Sequence, residues 1–257
     1  MKSVSIAEII KNENISENIY DMLISVPEIA KEAKAGQFIN VYTGKGECLL
    51  PRPISICGID EKKGTIRMVF QVVGKGTELF SALKAGDTVK VLGPLGNGYD
   101  ISEECTNNVL IGGGIGVPPL LELAKRLKGK KQVFIGARTN PILVEEFKSL
   151  GADVYVATDD GSEGFKGNAV ELVRKINPDV DAIYSCGPKI MLKAVADWAE
   201  EKGIKAQVSM EERMACGIGA CVGCAVKIKK EGESDWSNLK VCKDGPVFLS
   251  NEVVWNE

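Results

Sequence analysis

The chain has 257 residues, 44% of them apolar, enough to fill the cores of more than one domain. Its 32 basic and 35 acidic residues give a net charge of -3, which leaves no excess of positive charge for binding nucleic acid. Histidine is absent, which excludes a Rieske centre, histidine-ligated zinc catalysis and every dyad that needs an imidazole base. We therefore expect the chemistry to come from a bound cofactor.

The first residues have mixed polarity rather than the apolar core of a secretory signal. The stretch from Val4 to Asn12 mixes apolar, charged and amide side chains, and no small-residue cleavage site follows. No apolar run in the sequence reaches the roughly 18 residues of a membrane-spanning helix. We expect a cytoplasmic protein without a membrane or nucleic-acid partner.

Residues 1–99 consist of short β-forming runs separated by Gly, Lys and Asp. The runs lie at residues 38–42, 54–57, 65–73 and 88–92. Their length and spacing predict a small antiparallel β-barrel.

From residue 108 the pattern changes to alternating strands and helices, which predicts a parallel-sheet α/β domain over residues 100–209. Strands are predicted at residues 109–111, 133–137, 153–157 and 182–186, and helices at 119–127, 145–150, 169–176 and 190–202. The crossovers of such a sheet should be right-handed.

A glycine loop joins the first of these strands to the first helix. Its residues, for which we predict contacts with a nucleotide, are Gly112, Gly113, Gly114, Ile115 and Gly116. In this position backbone N–H groups and the helix dipole can meet a pyrophosphate. The loop departs from the fingerprint G-x-G-x-x-G, because its last position is Val117 or Pro119, and no Gly-Lys-Ser/Thr follows as in a P-loop. A tight βα turn without a ligand is the alternative.

Four cysteines follow the α/β pattern, within a third predicted unit over residues 210–257. They are Cys216, Cys221, Cys224 and Cys242, spaced C-x4-C-x2-C-x17-C. This spacing is typical of a plant-type 2Fe-2S cluster, and the intervening glycines let backbone N–H groups point at sulfur. A four-cysteine zinc site is the main alternative, although zinc ribbons usually offer two short C-x2-C pairs. Disulfides suit such a glycine loop less well.

Several motifs occur in one order along the chain. They are R-P-x-S from Arg52, G-x-G-T-x-L from Gly74, G-D-x-V-x-V-x-G-P-x-G from Gly86, G-G-G-I-G-x-x-P from Gly112 and C-G-P from Cys186. Over residues 1–205 this set resembles the ferredoxin-NADP reductase superfamily. With the four cysteines added, the whole chain resembles the electron-transfer subunits of the dihydroorotate dehydrogenase B type, a family that carries FAD and one 2Fe-2S cluster.

The resemblance implies an FAD site on the barrel. The residues that match it are Arg52, Pro53, Ile54 and Ser55 of the first motif, Val69, Phe70 and Gln71 of the adjoining strand, and Gly76 and Thr77 of a second phosphate loop. Arg52 would hold the pyrophosphate with its planar fork, and Ser55 would lie near the isoalloxazine edge. The alternatives are that Arg52 is a surface cation and that Gly76 is an ordinary turn glycine.

The resemblance also implies NAD as an exchangeable substrate on the second domain. Cys186, Gly187 and Pro188 would lie beside the nicotinamide, where Cys186 and Ser55 form the surroundings of hydride transfer. Cys186 would not act as a nucleophile, because hydride passes directly between the cofactors; a buried structural cysteine is the alternative. Asp159 and Asp160 stand where members that prefer NADP carry Ser or Arg, and their charge would repel a 2'-phosphate.

The implied function is that of an oxidoreductase subunit in pyrimidine biosynthesis. It would pass electrons between an FMN-containing dihydroorotate dehydrogenase catalytic subunit and NAD, in a heterotetramer of two plus two subunits. Small subunits of NADPH-ferredoxin and sulfide dehydrogenases place Asp where this chain has Cys216, so the cysteine favours the dihydroorotate dehydrogenase branch. We expect the partner to cover Met214, Ile218 and Val222. The alternatives are a stand-alone or differently partnered NAD(P)H-dependent reductase and a non-catalytic, zinc-bound adaptor.

Overall fold

The computed structural model describes residues 2–44, 46 and 48–255. Within these residues, no helix combines the length and the apolar character needed to span a bilayer. The described chain forms an antiparallel barrel, a mostly parallel sheet flanked by helices, and a small cysteine-containing unit. This is the predicted combination of a β-barrel, an α/β domain and a small third unit. The boundaries predicted after residues 99 and 209 stay predictions.

The barrel is closed by six antiparallel strands. Its elements are β1 (Ser3–Ser16), β2 (Ile19–Ser25), α1 (Pro27–Glu32), β3 (Phe38–Tyr42), β4 (Arg52–Asp60), β5 (Thr65–Gln71), α2 (Lys75–Ser81) and β6 (Thr88–Leu95). The strand order is β1-β2-β5-β4-β3-β6, and β6 pairs with β1 to close the ring. Alternate side chains such as Ile24, Ile39 and Val91 fill the interior and are fully buried. The predicted barrel is confirmed, and β1 and β2 are two strands that the sequence pattern missed.

The second unit is a sheet with helices on both faces. Its elements are β7 (Asn107–Gly113), a 3-10 turn (Gly114–Gly116), α3 (Pro119–Arg126), β8 (Lys130–Ala137), α4 (Val144–Ser149), β9 (Asp153–Thr158), β10 (Phe165–Lys166), α5 (Ala169–Ile176), β11 (Ala182–Cys186), α6 (Lys189–Lys202) and β12 (Ala206–Ser209). These strands run parallel in the order β10-β9-β8-β7-β11-β12. On β7, Leu110 packs in the core on one face, and Val109 and Ile111 pack in the core on the other. Burial on both faces explains the continuous apolar runs in the sequence.

The third unit leaves the large sheet and returns to it. It contains a hairpin of β13 (Ala225–Ile228) and β14 (Ser237–Lys240), followed by β15 (Val247–Leu249). β15 pairs with β12 in the antiparallel sense and becomes the edge of the large sheet. The Met210 N–H donates to the Pro246 carbonyl at 2.8 Å. This bond holds together the two ends of residues 211–245, which we call the cysteine segment. The segment therefore leaves the large sheet and rejoins it at the same edge.

A buried carboxylate joins the barrel to the second unit. Glu122 of α3 is only 1% exposed and accepts hydrogen bonds from the Ile59 N–H at 3.0 Å and from Arg126 Nε at 2.6 Å. The Lys125 ammonium donates to the Ile59 carbonyl at 2.8 Å. Both backbone groups of Ile59, on β4, are thus held by α3. These bonds fix the orientation of the barrel against the sheet.

Candidate functional site

A cleft of about 830 Å³ lies between the barrel, the sheet and the cysteine segment. Its volume falls in the range of roughly 300–1,000 Å³ that is usual for cofactor sites. Twelve predicted site residues line it: Arg52, Pro53, Ile54, Ser55, Val69, Phe70, Gln71, Thr77, Ile115, Gly116, Cys186 and Gly187. Motifs from three distant parts of the sequence therefore meet in one place. A second cleft, of about 660 Å³ between the barrel and helices α3 and α4, has none of the predicted site residues in its walls.

Arg52 provides a cation on the barrel wall of this cleft. Its Nη1 donates to the Leu50 carbonyl at 2.6 Å, and its guanidinium lies directly against Gly76. A Cβ atom at position 76 would stand 2.5 Å from Arg52 Nε, so the glycine makes room for the arginine. No carboxylate in the described part of the chain lies within ion-pair distance of Arg52. The guanidinium can therefore serve an anionic ligand such as a pyrophosphate.

The Thr77 hydroxyl already has partners within its own turn. It accepts a hydrogen bond from the Val73 N–H at 3.0 Å and donates to the Gly74 carbonyl at 2.9 Å. These bonds shape the start of α2 beside Arg52. The predicted contact between this hydroxyl and FAD stays a prediction.

The glycine loop and the C-G-P motif lie side by side at the carboxyl ends of β7 and β11. Cys186 is paired in register with Gly112, and the loop continues through Gly113 and Gly114 into the 3-10 turn. Pro188 directly precedes α6. In α/β sheets the carboxyl ends of adjacent strands are where ligands bind. Gly112, Gly113, Gly114 and Pro188 do not line the cleft themselves, and their predicted nucleotide contacts stay predictions.

Cys186 is a neutral thiol on the wall of the cleft. Burial raises its pKa to about 12, and a hydrogen bond with the Ser209 side chain lowers it by less. A thiol with this pKa is protonated at neutral pH and is a poor nucleophile. Ser55 lines the same cleft from the barrel side. This fits the predicted role of the two residues as surroundings of hydride transfer.

Asp159 and Asp160 lie at the same edge of the sheet but outside the walls of the cleft. They follow β9, which is separated from β7 by β8. The Asp160 carboxylate accepts the Ser162 N–H at 2.9 Å, and this bond lowers its pKa below the usual value. Their predicted discrimination against NADP stays a prediction.

One wall of the cleft was missed by sequence reasoning. Its residues are the last residue of β12, the five that follow it and the one before β15, namely Ser209, Met210, Glu211, Glu212, Arg213, Met214 and Pro246. The sequence gives no local signal for this wall, because its place depends on β12 ending at the same sheet edge as β7 and β11. Trp255 packs in the core of the third unit, where its Nε1 donates to the Ser250 carbonyl at 3.0 Å.

Cys216 lies in a turn whose N–H groups point at its sulfur. The Cys221 N–H donates to Cys216 Sγ at 3.3 Å. Burial opposes ionisation of this thiol, but the N–H groups of Cys221, Ile218 and Ala220 outweigh it and lower the pKa to about 6. The turn thus stabilises a thiolate, the form that binds metals.

Cys224 and Cys242 form a second pair in the core of the third unit, where they are 1% and 0% exposed. Burial, followed by the neighbouring Cys224 thiol, raises the pKa of Cys242 to about 12. Among residues 2–44, 46 and 48–255, no three His, Cys, Asp or Glu side chains converge tightly enough to hold one metal ion. The Cys221 side chain is likewise a neighbour of the Cys216 thiol. Two pairs of thiols, Cys216 with Cys221 and Cys224 with Cys242, fit a binuclear cluster, in which each iron takes two protein ligands.

Comparison with protein families gives two matches. Residues 6–99 match the oxidoreductase FAD-binding domain, and residues 211–254 match the iron-sulfur cluster binding domain of dihydroorotate dehydrogenase B. These matches confirm the predicted FAD and iron-sulfur cofactors.

Relatives and solved structures agree with the family matches. The chain is 42% identical over 254 residues to the electron transfer subunit of dihydroorotate dehydrogenase B (NAD(+)) from Bacillus cereus, covering 96% of each chain. It also resembles a chain in the structure of an NADH-dependent reduced ferredoxin-NADP oxidoreductase, with a TM-score of 0.86, 34% identity and coverage of 98% and 91%. The cytochrome b5 reductase domain of Ulva prolifera nitrate reductase shares the fold, with a TM-score of 0.65, 19% identity and coverage of 79% and 94%. The chain therefore belongs to the family of electron transfer subunits of dihydroorotate dehydrogenase B.

Proposed function

We propose that this chain is the electron transfer subunit of an NAD-dependent dihydroorotate dehydrogenase. The observation that carries the proposal is the single cleft in which the flavin motif, the glycine loop, the C-G-P motif and the segment before the first cysteine meet. When bound, FAD would exchange two electrons as hydride with NAD and single electrons with a 2Fe-2S cluster.

The chain's own residues bind FAD, NAD and the cluster at separate places. Arg52 neutralises the FAD pyrophosphate, while the strand residues Val69, Phe70 and Gln71 form the adjoining wall of the cleft. Cys186 stays protonated, so it orients the rings without reacting with them. The four cysteines at positions 216, 221, 224 and 242 hold the cluster as thiolates. Asp159 and Asp160 disfavour a 2'-phosphate by charge.

The partner would dock over the exposed side of the cysteine segment. Val222 is 73% exposed and Ile218 is 44% exposed, whereas Met214 packs against the core of the third unit and lines the cleft. Ile218 and Val222 thus form the exposed apolar surface that an FMN-containing catalytic subunit would cover. Met214 belongs to the cleft instead. We propose a heterotetramer of two plus two subunits in the cytoplasm, where free thiols such as the eight cysteines of this chain persist.

Reconstitution tests the function. The isolated chain, loaded with FAD and iron-sulfur, should reduce artificial dyes with NADH and show no dihydroorotate oxidation. Adding the FMN-containing subunit should couple dihydroorotate oxidation to reduction of NAD. Dihydroorotate oxidation by the isolated chain, or failure of the two subunits to associate, would refute the assignment.

A matched pair of variants tests the docking surface. Val222→Glu places a charge on the apolar surface beside the cluster turn, where the side chain is 73% exposed, and Ile176→Glu places one at the end of α5, where the side chain is 37% exposed. We expect the first to weaken association with the FMN-containing subunit while dye reduction by NADH is retained, and the second to change neither. Equal association by both variants would place the docking surface elsewhere.

The likeness to the NADH-dependent reduced ferredoxin-NADP oxidoreductase favours one second candidate, a reductase subunit that exchanges electrons with ferredoxin. Coupling of NADH oxidation to ferredoxin reduction, with no binding to the FMN-containing subunit, would establish this candidate instead.

A further inference from the structure

Asn40 is a fully buried amide on the outer face of the barrel. Its neighbours on β3, Ile39 and Val41, point into the barrel core, so Asn40 points outward. It is nevertheless 0% exposed, because the turn that contains Cys216 covers it. Asn40 Nδ2 donates to the Cys216 carbonyl at 3.1 Å. This bond links the barrel to the first cysteine of the predicted cluster.

The contact is specific for these residue types. A buried amide is costly unless it is hydrogen-bonded, and Asn40 Oδ1 has no partner among the described residues. The donor group therefore carries the interaction. Gly217 has φ of +66°, and a Cβ there would stand 2.3 Å from Asn40 Nδ2. Only glycine lets the turn approach the amide this closely.

The bond acts at a point that controls the direction of the turn. The Cys216 carbonyl belongs to the peptide that leads into Gly217, and the chain then curves back until the Cys221 N–H reaches Cys216 Sγ at 3.3 Å. Holding that carbonyl fixes the start of the curve. On its other side, Asn40 is paired in register with Pro53 of the flavin motif. Asn40 thus lies beside the flavin motif through the pairing of its strand and reaches the turn around the first cysteine through its side chain.

We propose that Asn40 is a positioning residue for the iron-sulfur cluster. It holds the Cys216 carbonyl so that the N–H groups of the turn point at the Cys216 sulfur. Hydrogen bonds to sulfur stabilise the more negative, reduced cluster and are one determinant of its reduction potential. The inference rests on the proposed function, because it requires that Cys216 is a cluster ligand.

Two variants of the holoprotein test the proposal, with one matched control. Asn40→Leu keeps the approximate volume and removes the donor, and Asn40→Ala removes the donor without adding bulk. Asn108→Leu is the control. Asn108 is also 0% exposed and also donates through Nδ2 to a carbonyl, that of Lys128 at 2.8 Å. Its Oδ1 likewise has no partner in the described part of the chain, but the residue lies at the start of β7.

The readouts are iron, sulfide and FAD content, the electron paramagnetic resonance spectrum of the reduced cluster, and its midpoint potential. We expect both Asn40 variants to shift the paramagnetic resonance spectrum. At a fixed solution potential, both should also lower the ratio of reduced to oxidised cluster about tenfold, because the reduced cluster loses the stabilisation of about one hydrogen bond. FAD content should stay unchanged. Asn108→Leu should alter neither the spectrum nor the ratio.

The proposal is wrong if either Asn40 variant keeps the parental spectrum and potential, or if Asn108→Leu shifts them equally. Should Asn40→Leu not fold, Asn40→Ala alone decides, because its smaller side chain cannot clash with the covering turn. A parental protein that binds FAD but contains zinc or no metal would overturn the cluster assignment and this inference with it. That outcome is visible in the metal analysis before any variant is compared.

Discussion

Replacing Arg52 by Ala should weaken FAD binding without disturbing the fold. The guanidinium is half-buried in the wall of the cleft and packs on Gly76, and its one hydrogen bond to a described residue goes to the Leu50 carbonyl, two positions away in the chain. Because no described carboxylate pairs with it, the substitution leaves no buried anion behind. The loss should therefore appear in ligand binding rather than in the free energy of unfolding.

The size of the effect follows from the bond that is removed. A charge-assisted hydrogen bond is worth about 1.5–3 kcal/mol, which corresponds to an FAD dissociation constant raised roughly 10- to 150-fold. Arg52→Lys should give a smaller increase, since it keeps the charge but cannot present a planar fork to a pyrophosphate.

The dissociation constant is measured by titrating the FAD-free protein with FAD and following flavin fluorescence. Arg138→Ala is the matched control, because it removes the same charge from an exposed position that follows β8 outside the cleft. An FAD dissociation constant unchanged by Arg52→Ala, or raised equally by Arg138→Ala, would remove Arg52 from the site.

Three further predictions concern the sheet side of the molecule. Glu122→Gln should lower the free energy of unfolding, measured in urea, by about 1.5–3 kcal/mol, since two of the three hydrogen bonds that Glu122 accepts come from cations. Glu103→Gln, at an exposed ion pair, is the control and should leave the free energy of unfolding unchanged. Equal effects of the two variants would contradict a stabilising role for the buried Glu122 carboxylate. Asp159→Asn combined with Asp160→Asn keeps the turn but removes both charges, so the ratio of NADH to NADPH turnover should fall; an unchanged ratio would assign the preference elsewhere. Cys186, with its pKa raised to about 12 by burial, should resist iodoacetamide at pH 8, as followed by mass spectrometry, and modification at the rate of a free thiol would show that it is ionised.

Parts of the fold that depend on local pattern could be predicted from the sequence. Four strands and four helices of the α/β unit were predicted within a few residues, because burial on one or both faces gives clear periodicity, whereas the short strands β10 and β12 were missed. β1 was missed since its outward-facing positions include the exposed apolar residues Val4, Ile6 and Ile10, so the sequence lacks the alternation of polar and apolar residues. β15 was missed because it is only three residues long and depends on β12 for its pairing.

The site could be predicted where residue types carry the chemistry. Arg52 and the glycine loop stood out by motif, and the cysteines by spacing. The wall formed by residues 209–214 could not be recognised from its composition, since Glu211, Glu212 and Arg213 read as an ordinary charged surface stretch. Its role depends on where β12 ends, which is a property of the sheet. Asn40 was missed for the same reason, because a single polar residue in an apolar strand gives no sign of what covers it.

The return of β15 to the edge of the large sheet changes how the cysteine segment can be engineered. Removing everything after Met210 would strip β15 from β12 and leave that strand as an unpaired edge, which invites aggregation. The hydrogen bond between Met210 and Pro246 instead marks two fixed ends between which the whole segment could be exchanged for one from a relative. The cysteine segment can therefore be replaced by the matching segment of a relative, but it cannot be deleted without exposing the edge of the sheet.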